Sequence, residues 1–137
     1  MVAAVCAWHE YHEAARTRVE DRLERGDTLA VAAHAVAEAY AVLTRLPAPH
    51  RLAPADAWAL VSANFVEPAT VVTLDADGYR GVLSGLAAAG IGGGRTYDAL
   101  IAKCASQAGV DSLLTLNARH FDPPPPGVRI VDARSRE

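Results

Sequence analysis

The chain has 137 residues, a length that suits one domain with a hydrophobic core of its own. Hydrophobic residues make up 51% of the chain and charged residues 21%, with a formal net charge of -3. This composition excludes an intrinsically disordered chain. It argues weakly against broad non-specific binding of nucleic acids, although it leaves room for a local basic rim.

No apolar run approaches the ~20 residues needed to cross a bilayer, and no export signal is visible at the start. The two cysteines, Cys6 and Cys104, lack the spacing of a metal or redox motif and are typical of free thiols in a reducing compartment. We therefore expect a cytoplasmic protein without a membrane partner.

Helical patterns alternate with short apolar runs along the chain. We predict helices over residues 2–25, 34–46, 53–65, 77–89 and 95–108. We predict strands over residues 28–33, 70–74, 112–116 and 128–131, the last after a stiff proline-rich connector at 123–126. This alternation predicts an α/β fold in which a parallel sheet carries helices on both faces. The chain opens in a helix, whereas such sheets normally open in a strand.

Asp98 is the first candidate for a functional site. It lies in the first turn of the helix at 95–108 and shares a face with Ile101, Ala102 and Ala105. An acid on an apolar face is costly unless something pairs with it. The structural alternative is an acid that only stabilises the positive end of the helix dipole.

Glu38 is a second acid on an apolar helix side, since Ala35, Ala41 and Val42 flank it at helical spacing. The structural alternative is a buried glutamate paired with Arg45 or His34. Two inward acids on separate helices suggest a shared site, because carboxylates brought together repel unless a cation lies between them. Mg²⁺ or Mn²⁺ suits such an oxygen site, with water and phosphate as further ligands.

Polar residues also end the strand at 112–116. Asn117 directly follows this strand and offers an amide oxygen, and Thr115 offers a hydroxyl group. A strand end and a helix start meet at one edge of a parallel sheet, which is where open α/β folds place their chemistry. The alternative for Asn117 is an ordinary turn residue. Five cations are candidates for contacting phosphate groups, although each alone is typical of a solvated surface: Arg45, Arg51, Arg95, Arg119 and His120.

The segment Asp75-Ala76-Asp77-Gly78 has the spacing of the start of a calcium loop, but the later ligands of such a loop are missing. We interpret it as a tight turn with a helix cap. A receiver-like signalling domain is a further alternative for the whole chain. It is disfavoured because an acidic pair after a first strand and a late lysine are both missing.

Over nearly its whole length the sequence resembles the PIN-domain ribonucleases, and within them the VapC-type toxins. The resemblance is carried by HAVAEAYAVLTRLP, GGGRTYDALIAKCA and LLTLNARHF, in which Glu38, Asp98 and Asn117 fill the family's acidic or amide positions in order. It implies a single three-layer α/β/α domain over residues 1–137. It also implies Mg²⁺- or Mn²⁺-dependent hydrolysis of RNA phosphodiester bonds. On that model Glu38 and Asp98 are metal ligands or orient metal-bound water, and Asn117 completes the metal site. A VapB-type antitoxin and a second copy of the chain are the implied partners.

The sequence departs from the family at its start. PIN domains open with a central strand that ends in an Asp, and this chain has no acid before Glu10. Either the true start lies upstream, or this is a shortened homologue that binds RNA or an antitoxin with impaired catalysis. Loss of a central strand leaves buried backbone groups unpaired, at about 1–3 kcal/mol each, which favours the first explanation.

Overall fold

The computed structural model describes residues 1–135, so the last two residues of the predicted single domain lie outside the described part. The helices of this part are α1 (Val2–Val5), α2 (His12–Glu24), α3 (Ala33–Arg45), α4 (Pro54–Val61), α5 (Ala76–Ala88) and α6 (Arg95–Ala108). The strands are β1 (Leu29–Ala32), β2 (Ala69–Val72), β3 (Ser112–Thr115) and β4 (Arg129–Asp132). A π turn, Ser62–Val66, extends α4, and a 3₁₀ helix, Ala118–Phe121, follows β3. The predicted alternation of helices and strands is confirmed.

The prediction of one helix over residues 2–25 is wrong, because the chain leaves helical geometry between α1 and α2. Cys6 is extended, with φ -109° and ψ 102°, and its side chain is buried in a core that includes Leu43. The ring nitrogen Nδ1 of buried His12 donates a hydrogen bond to the carbonyl oxygen of Ala3 at 2.9 Å. These tertiary contacts fix the break, and neither proline nor glycine marks it in the sequence.

The chain divides into two compact units, and each has its own core. Of the described residues, the first unit comprises 1–71 and 133–135, and the second unit comprises Val72–Asp132. In the first unit, α1, α3 and α4 bury Cys6, Ala39, Leu43, Ala57 and Val61 together. In the second unit, α6, β3 and the 3₁₀ helix bury Ala105, Leu113, Phe121 and Val128.

The four described strands form two two-stranded sheets and not one continuous sheet. β1 pairs with β2, and β3 pairs with β4 in parallel, with a register that runs from Ser112 opposite Arg129 to Thr115 opposite Asp132. Within residues 1–135, no helix is both long and apolar enough to span a bilayer.

The ends of the helices in the second unit follow the local sequence. At the start of α5, the Asp75 carboxylate accepts a hydrogen bond from the backbone N–H of Gly78 at 2.8 Å. The interpretation of this segment as a helix cap is therefore confirmed. α6 ends at Gly109, whose φ of +63° is the left-handed conformation that favours glycine at this position.

Candidate functional site

Asp98 lies where the sequence predicts it, in the first turn of α6. Its carboxylate is about one-fifth exposed, with a side-chain exposure of 21%. Ile101, Ala102 and Ala105, which share its helix face, pack into the core of the second unit. The carboxylate therefore stands at the rim of an apolar face, where the unsatisfied N–H groups of the helix start favour negative charge.

A histidine contacts this acid directly. The Nδ1 atom of His120 lies 2.8 Å from Oδ2 of Asp98, and the His120 side chain is 39% exposed. An ionised carboxylate only accepts hydrogen bonds, so Nδ1 carries the hydrogen and donates it. Asp98 thus has a specific partner, which goes beyond a simple interaction with the helix dipole.

The segment after β3 delivers His120 to this position through short-range hydrogen bonds. The hydroxyl oxygen of Thr115 accepts from the backbone N–H of Asn117 at 3.0 Å. The carbonyl oxygen of Asn117 in turn accepts from the backbone N–H of His120 at 2.9 Å. Phe121 follows and is buried in the core of the second unit, which anchors the 3₁₀ helix. The polar residues of the TLNARHF segment therefore build the turn that carries His120.

Asp98 and His120 both line a pocket of about 250 Å³ in the second unit. Arg95, one turn before Asp98, supplies a cation to the same pocket, and Asp122 supplies a further carboxylate. Apolar side chains such as Leu86, Ile91 and Phe121 form much of the remaining wall. The pocket thus combines an acid that has a fixed partner with a cation suited to a phosphate group.

The other candidate cations differ in their surroundings. Arg119 is exposed on the 3₁₀ helix beside His120, and Arg45 is exposed in the last turn of α3 in the first unit. The Nε atom of Arg51 donates to the carbonyl oxygen of Leu46 at 2.8 Å, just past the end of α3. Arg51 therefore holds the carbonyl end of a helix, which is a structural role.

Glu38 lies in the first unit, on α3, and its side chain is exposed. Its neighbours Ala39 and Leu43 form the buried side of this helix, so the prediction of an inward Glu38 side chain is not met. Burial lowers the pKa of the Met1 amino group, and the negative charge of Glu38 opposes that shift. Glu38 is therefore a solvent-accessible carboxylate whose negative charge acts on the amino group of Met1.

The donor set of the second unit suits an open metal site better than a closed one. Among residues 1–135, no three His, Cys, Asp or Glu side chains are grouped as they are in a protein-only metal cage. Mg²⁺ commonly uses one or two carboxylates and takes water and phosphate as its other ligands. Asp98 fits that requirement because the bond to His120 engages Oδ2 and leaves Oδ1 for another ligand.

Two residues of the pocket had roles that sequence reasoning missed. His120 was predicted as a phosphate-contacting cation and not as the partner of Asp98, which lies 22 residues earlier in the chain. Asp122 was not predicted at all. The available signal was its position two residues after His120, which was already a candidate. The adjacent proline-rich connector instead indicated an ordinary loop residue.

The fold agrees with comparisons to known proteins. The family model of the PIN domain matches residues 1–123, and the chain belongs to this family. It is 44% identical over 119 residues to Ribonuclease VapC40 of Mycobacterium tuberculosis, which covers 87% of this chain and 82% of that protein. It is 38% identical over 120 residues to Ribonuclease VapC27 of Mycobacterium tuberculosis strain ATCC 25618 / H37Rv, with coverages of 88% and 74%. The resemblance to VapC-type PIN ribonucleases is therefore confirmed.

Proposed function

We propose that this protein is a VapC-type endoribonuclease that hydrolyses RNA phosphodiester bonds. The observation that carries the proposal is the position of Asp98 at the helix start of a pocket that also holds Arg95 and His120, in a chain of this family. The names of its relatives, which are ribonucleases, support the same reaction class. The Arg95 guanidinium suits a phosphate group, and the Asp98 carboxylate suits a divalent ion beside it.

We further propose that cleavage depends on Mg²⁺ or Mn²⁺, with Asp98, Glu38 and Asn117 as the residues that hold the ion. A divalent ion, when bound, supplies a Lewis acid for phosphate oxygen and lowers the pKa of water. Asp98 contributes a carboxylate whose geometry is fixed by His120. Arg95, Arg119 and Arg45 are the proposed cations for phosphate charge, and Thr115 fixes the turn of Asn117.

The test of this function is RNA cleavage by Asp98→Ala, with Asp77→Ala as the matched control. Both acids lie in the first turn of a helix, but Asp77 is exposed on α5 and pairs with Arg80 at 2.9 Å. We expect Asp98→Ala to abolish Mn²⁺-dependent cleavage of a single-stranded RNA and Asp77→Ala to keep the rate of the unmodified protein. Unchanged cleavage by Asp98→Ala would refute the assignment.

A second candidate function is an impaired PIN domain that binds RNA or an antitoxin without cutting. The observation in its favour is that residues 1–135 bring no three acidic or other metal-binding side chains together. Titration with Mn²⁺, followed by electron paramagnetic resonance, separates the two candidates. Tight Mn²⁺ binding and RNA cleavage support the nuclease, whereas RNA retention without cleavage at saturating Mn²⁺ supports the binding domain.

We also propose that the protein acts in the cytoplasm as a homodimer and is held inactive by a VapB-type antitoxin. Its two buried free thiols suit a reducing compartment. Exposed apolar side chains in both units, among them Trp58 and Leu83, offer surfaces for such partners. Sedimentation velocity and co-expression with the product of a small adjacent open reading frame test these partners directly.

A further inference from the structure

The hydrogen bond between His120 and Asp98 has a defined donor and a defined acceptor. The imidazole faces the carboxylate with Nδ1, at 2.8 Å from Oδ2, and this distance is typical of a strong bond to an ionised acceptor. With the hydrogen on Nδ1, the neutral ring keeps a lone pair on Nε2. The contact therefore fixes both the carboxylate and the tautomer of the ring.

The backbone that carries His120 is held firmly. Its N–H bonds to the carbonyl oxygen of Asn117, and its neighbour Phe121 is buried in the core of the second unit. The Asp98 side chain is partly exposed in the first turn of α6, where a carboxylate without a partner can take several rotamers. The turn after β3 thus holds the imidazole next to α6, and the bond from Nδ1 restricts the rotamers that the Asp98 carboxylate can take.

We propose that His120 is a positioning residue, which binds Oδ2 of Asp98 and so fixes the carboxylate, leaving Oδ1 as the oxygen that would hold a divalent ion. This inference rests on the proposed nuclease function. It assigns to His120 a role that acts through Asp98 and differs from direct contact with RNA. The two hydrogen bonds inside the turn, from Asn117 to the Thr115 hydroxyl and from His120 to the Asn117 carbonyl, agree with this role because they hold the backbone that carries the imidazole.

Substitutions that keep or move the donor separate this role from others. The amide nitrogen of an asparagine stands close to the position of histidine Nδ1, and that of a glutamine stands close to the position of Nε2. His120→Asn therefore retains a donor toward Asp98, whereas His120→Gln moves it and His120→Ala removes it. A purely structural role of the ring, or a role of its charge in binding RNA, does not distinguish Asn from Gln in this way.

The first experiment needs no enzyme activity. Two-dimensional NMR of the imidazole nitrogens, recorded about two pH units above the ordinary histidine pKa of about 6.5, reports the tautomer of each neutral ring. We expect His120 to carry its hydrogen on Nδ1 and to lose this preference in Asp98→Ala. His9 is the internal control, because its Nδ1 accepts from the N–H of Tyr11 at 3.2 Å and its hydrogen must lie on Nε2. The Nε2–H tautomer of His120 in the unmodified protein would overturn the proposal.

The second experiment measures Mn²⁺ affinity by electron paramagnetic resonance and RNA cleavage for the three His120 variants. We expect His120→Ala and His120→Gln to lose about 10- to 100-fold in Mn²⁺ affinity or in kcat/KM, the usual loss when a ligand's supporting partner is removed. His120→Asn should regain most of it, and circular dichroism should show each variant folded.

Equal behaviour of His120→Asn and His120→Gln, or full activity of His120→Ala, would contradict a positioning role. If the unmodified protein does not cut RNA at all, the proposed nuclease function fails. The tautomer measurement and the Mn²⁺ affinities still decide the role of His120 in that case, so the two failures are distinguishable.

Discussion

At the scale of single residues, the two candidate acids have different environments. Asp98 is partly buried and bound by His120, whereas Glu38 is exposed on a helix whose buried side is formed by Ala39 and Leu43. Helical spacing predicts which residues share a face, but only packing decides which face turns inward. The same uncertainty does not affect Asp98, because its position in the first turn is set by where α6 begins.

Glu38→Gln tests whether this exposed acid belongs to the metal site. We expect at least about a tenfold loss of Mn²⁺-dependent cleavage, because the substitution removes a proposed ligand charge. Stability should change by less than about 0.5 kcal/mol, since the side chain is exposed. The control is Asp56→Asn, which removes another exposed acid of the first unit. Equal cleavage rates of the two variants would show that Glu38 does not belong to the metal site.

The two buried thiols should be unreactive in the folded protein. Burial raises the pKa of both Cys6 and Cys104, so less thiolate is present at a given pH than in an unfolded chain. We expect iodoacetamide to alkylate the native protein far more slowly than the denatured protein near neutral pH. Cys6→Ser and Cys104→Ser assign the residual rate to one thiol or the other.

The raised pKa of the two thiols also predicts how the stability of the protein changes with pH. The unfolded thiols ionise first as the pH rises, so the stability contributed by the buried, protonated thiols is fully present below the ordinary thiol pKa of about 8.5 and is lost above it. Urea unfolding across this pH range, compared between the unmodified protein and the Cys6→Ser and Cys104→Ser variants, isolates this effect from the Met1 amino group, whose lowered pKa has the opposite sign. The same pH dependence in the unmodified protein and in both variants would contradict a thiol contribution.

At the scale of elements, local sequence signals predicted where helices begin and end, but they did not predict where a helix is interrupted. Asp75 caps α5, and Gly109 ends α6 in the left-handed conformation that a glycine permits. The break between α1 and α2 has no such signal, because it depends on the burial of Cys6 and on the bond from His12 to the Ala3 carbonyl. Short-range rules therefore succeed where the partner groups lie within one turn, and they fail where the partner comes from elsewhere in the fold.

Asp75→Ala should destabilise the second unit by about 0.5–2 kcal/mol, because the N–H of Gly78 loses its acceptor at the start of α5. Asp77→Ala is the matched control two residues later. Its exposed pair with Arg80 contributes little, so we expect a change of at most about 1 kcal/mol. Thermal unfolding measures the stability of the two variants. An equal loss of stability in both would show that the hydrogen bond from Gly78 to Asp75 does not stabilise the helix start.

At the scale of the whole molecule, the described strands form two two-stranded sheets, and the helices complete two separate cores. An isolated pair of strands is at best marginally stable in water, so each sheet depends on the helices packed against it. The fold is thus stabilised by apolar packing within each unit. Among residues 1–135, no protein-only metal cage contributes to this packing. We therefore expect the stability of the fold to be independent of the metal ion that the proposed reaction uses.

Removal of divalent metal should therefore stop RNA cleavage without unfolding the protein. An open site occupied at a metal concentration equal to its Kd adds only about 0.4 kcal/mol of stability. We expect EDTA to abolish cleavage while the thermal unfolding curve shifts slightly, and Mn²⁺ to restore the activity. Loss of the folded state on chelation would show that the metal has a structural role.

The sequence alone determined the α/β alternation, the limits of most elements and the order of Glu38, Asp98 and Asn117 that carries the family resemblance. These features depend on local periodicity, turn residues and spacing, all of which are written along the chain. Only the tertiary structure decided that Glu38 faces solvent, that Cys6 interrupts the first helix and that His120 binds Asp98. Each of these depends on which residues distant in the chain pack together, and such contacts have no signature in local spacing.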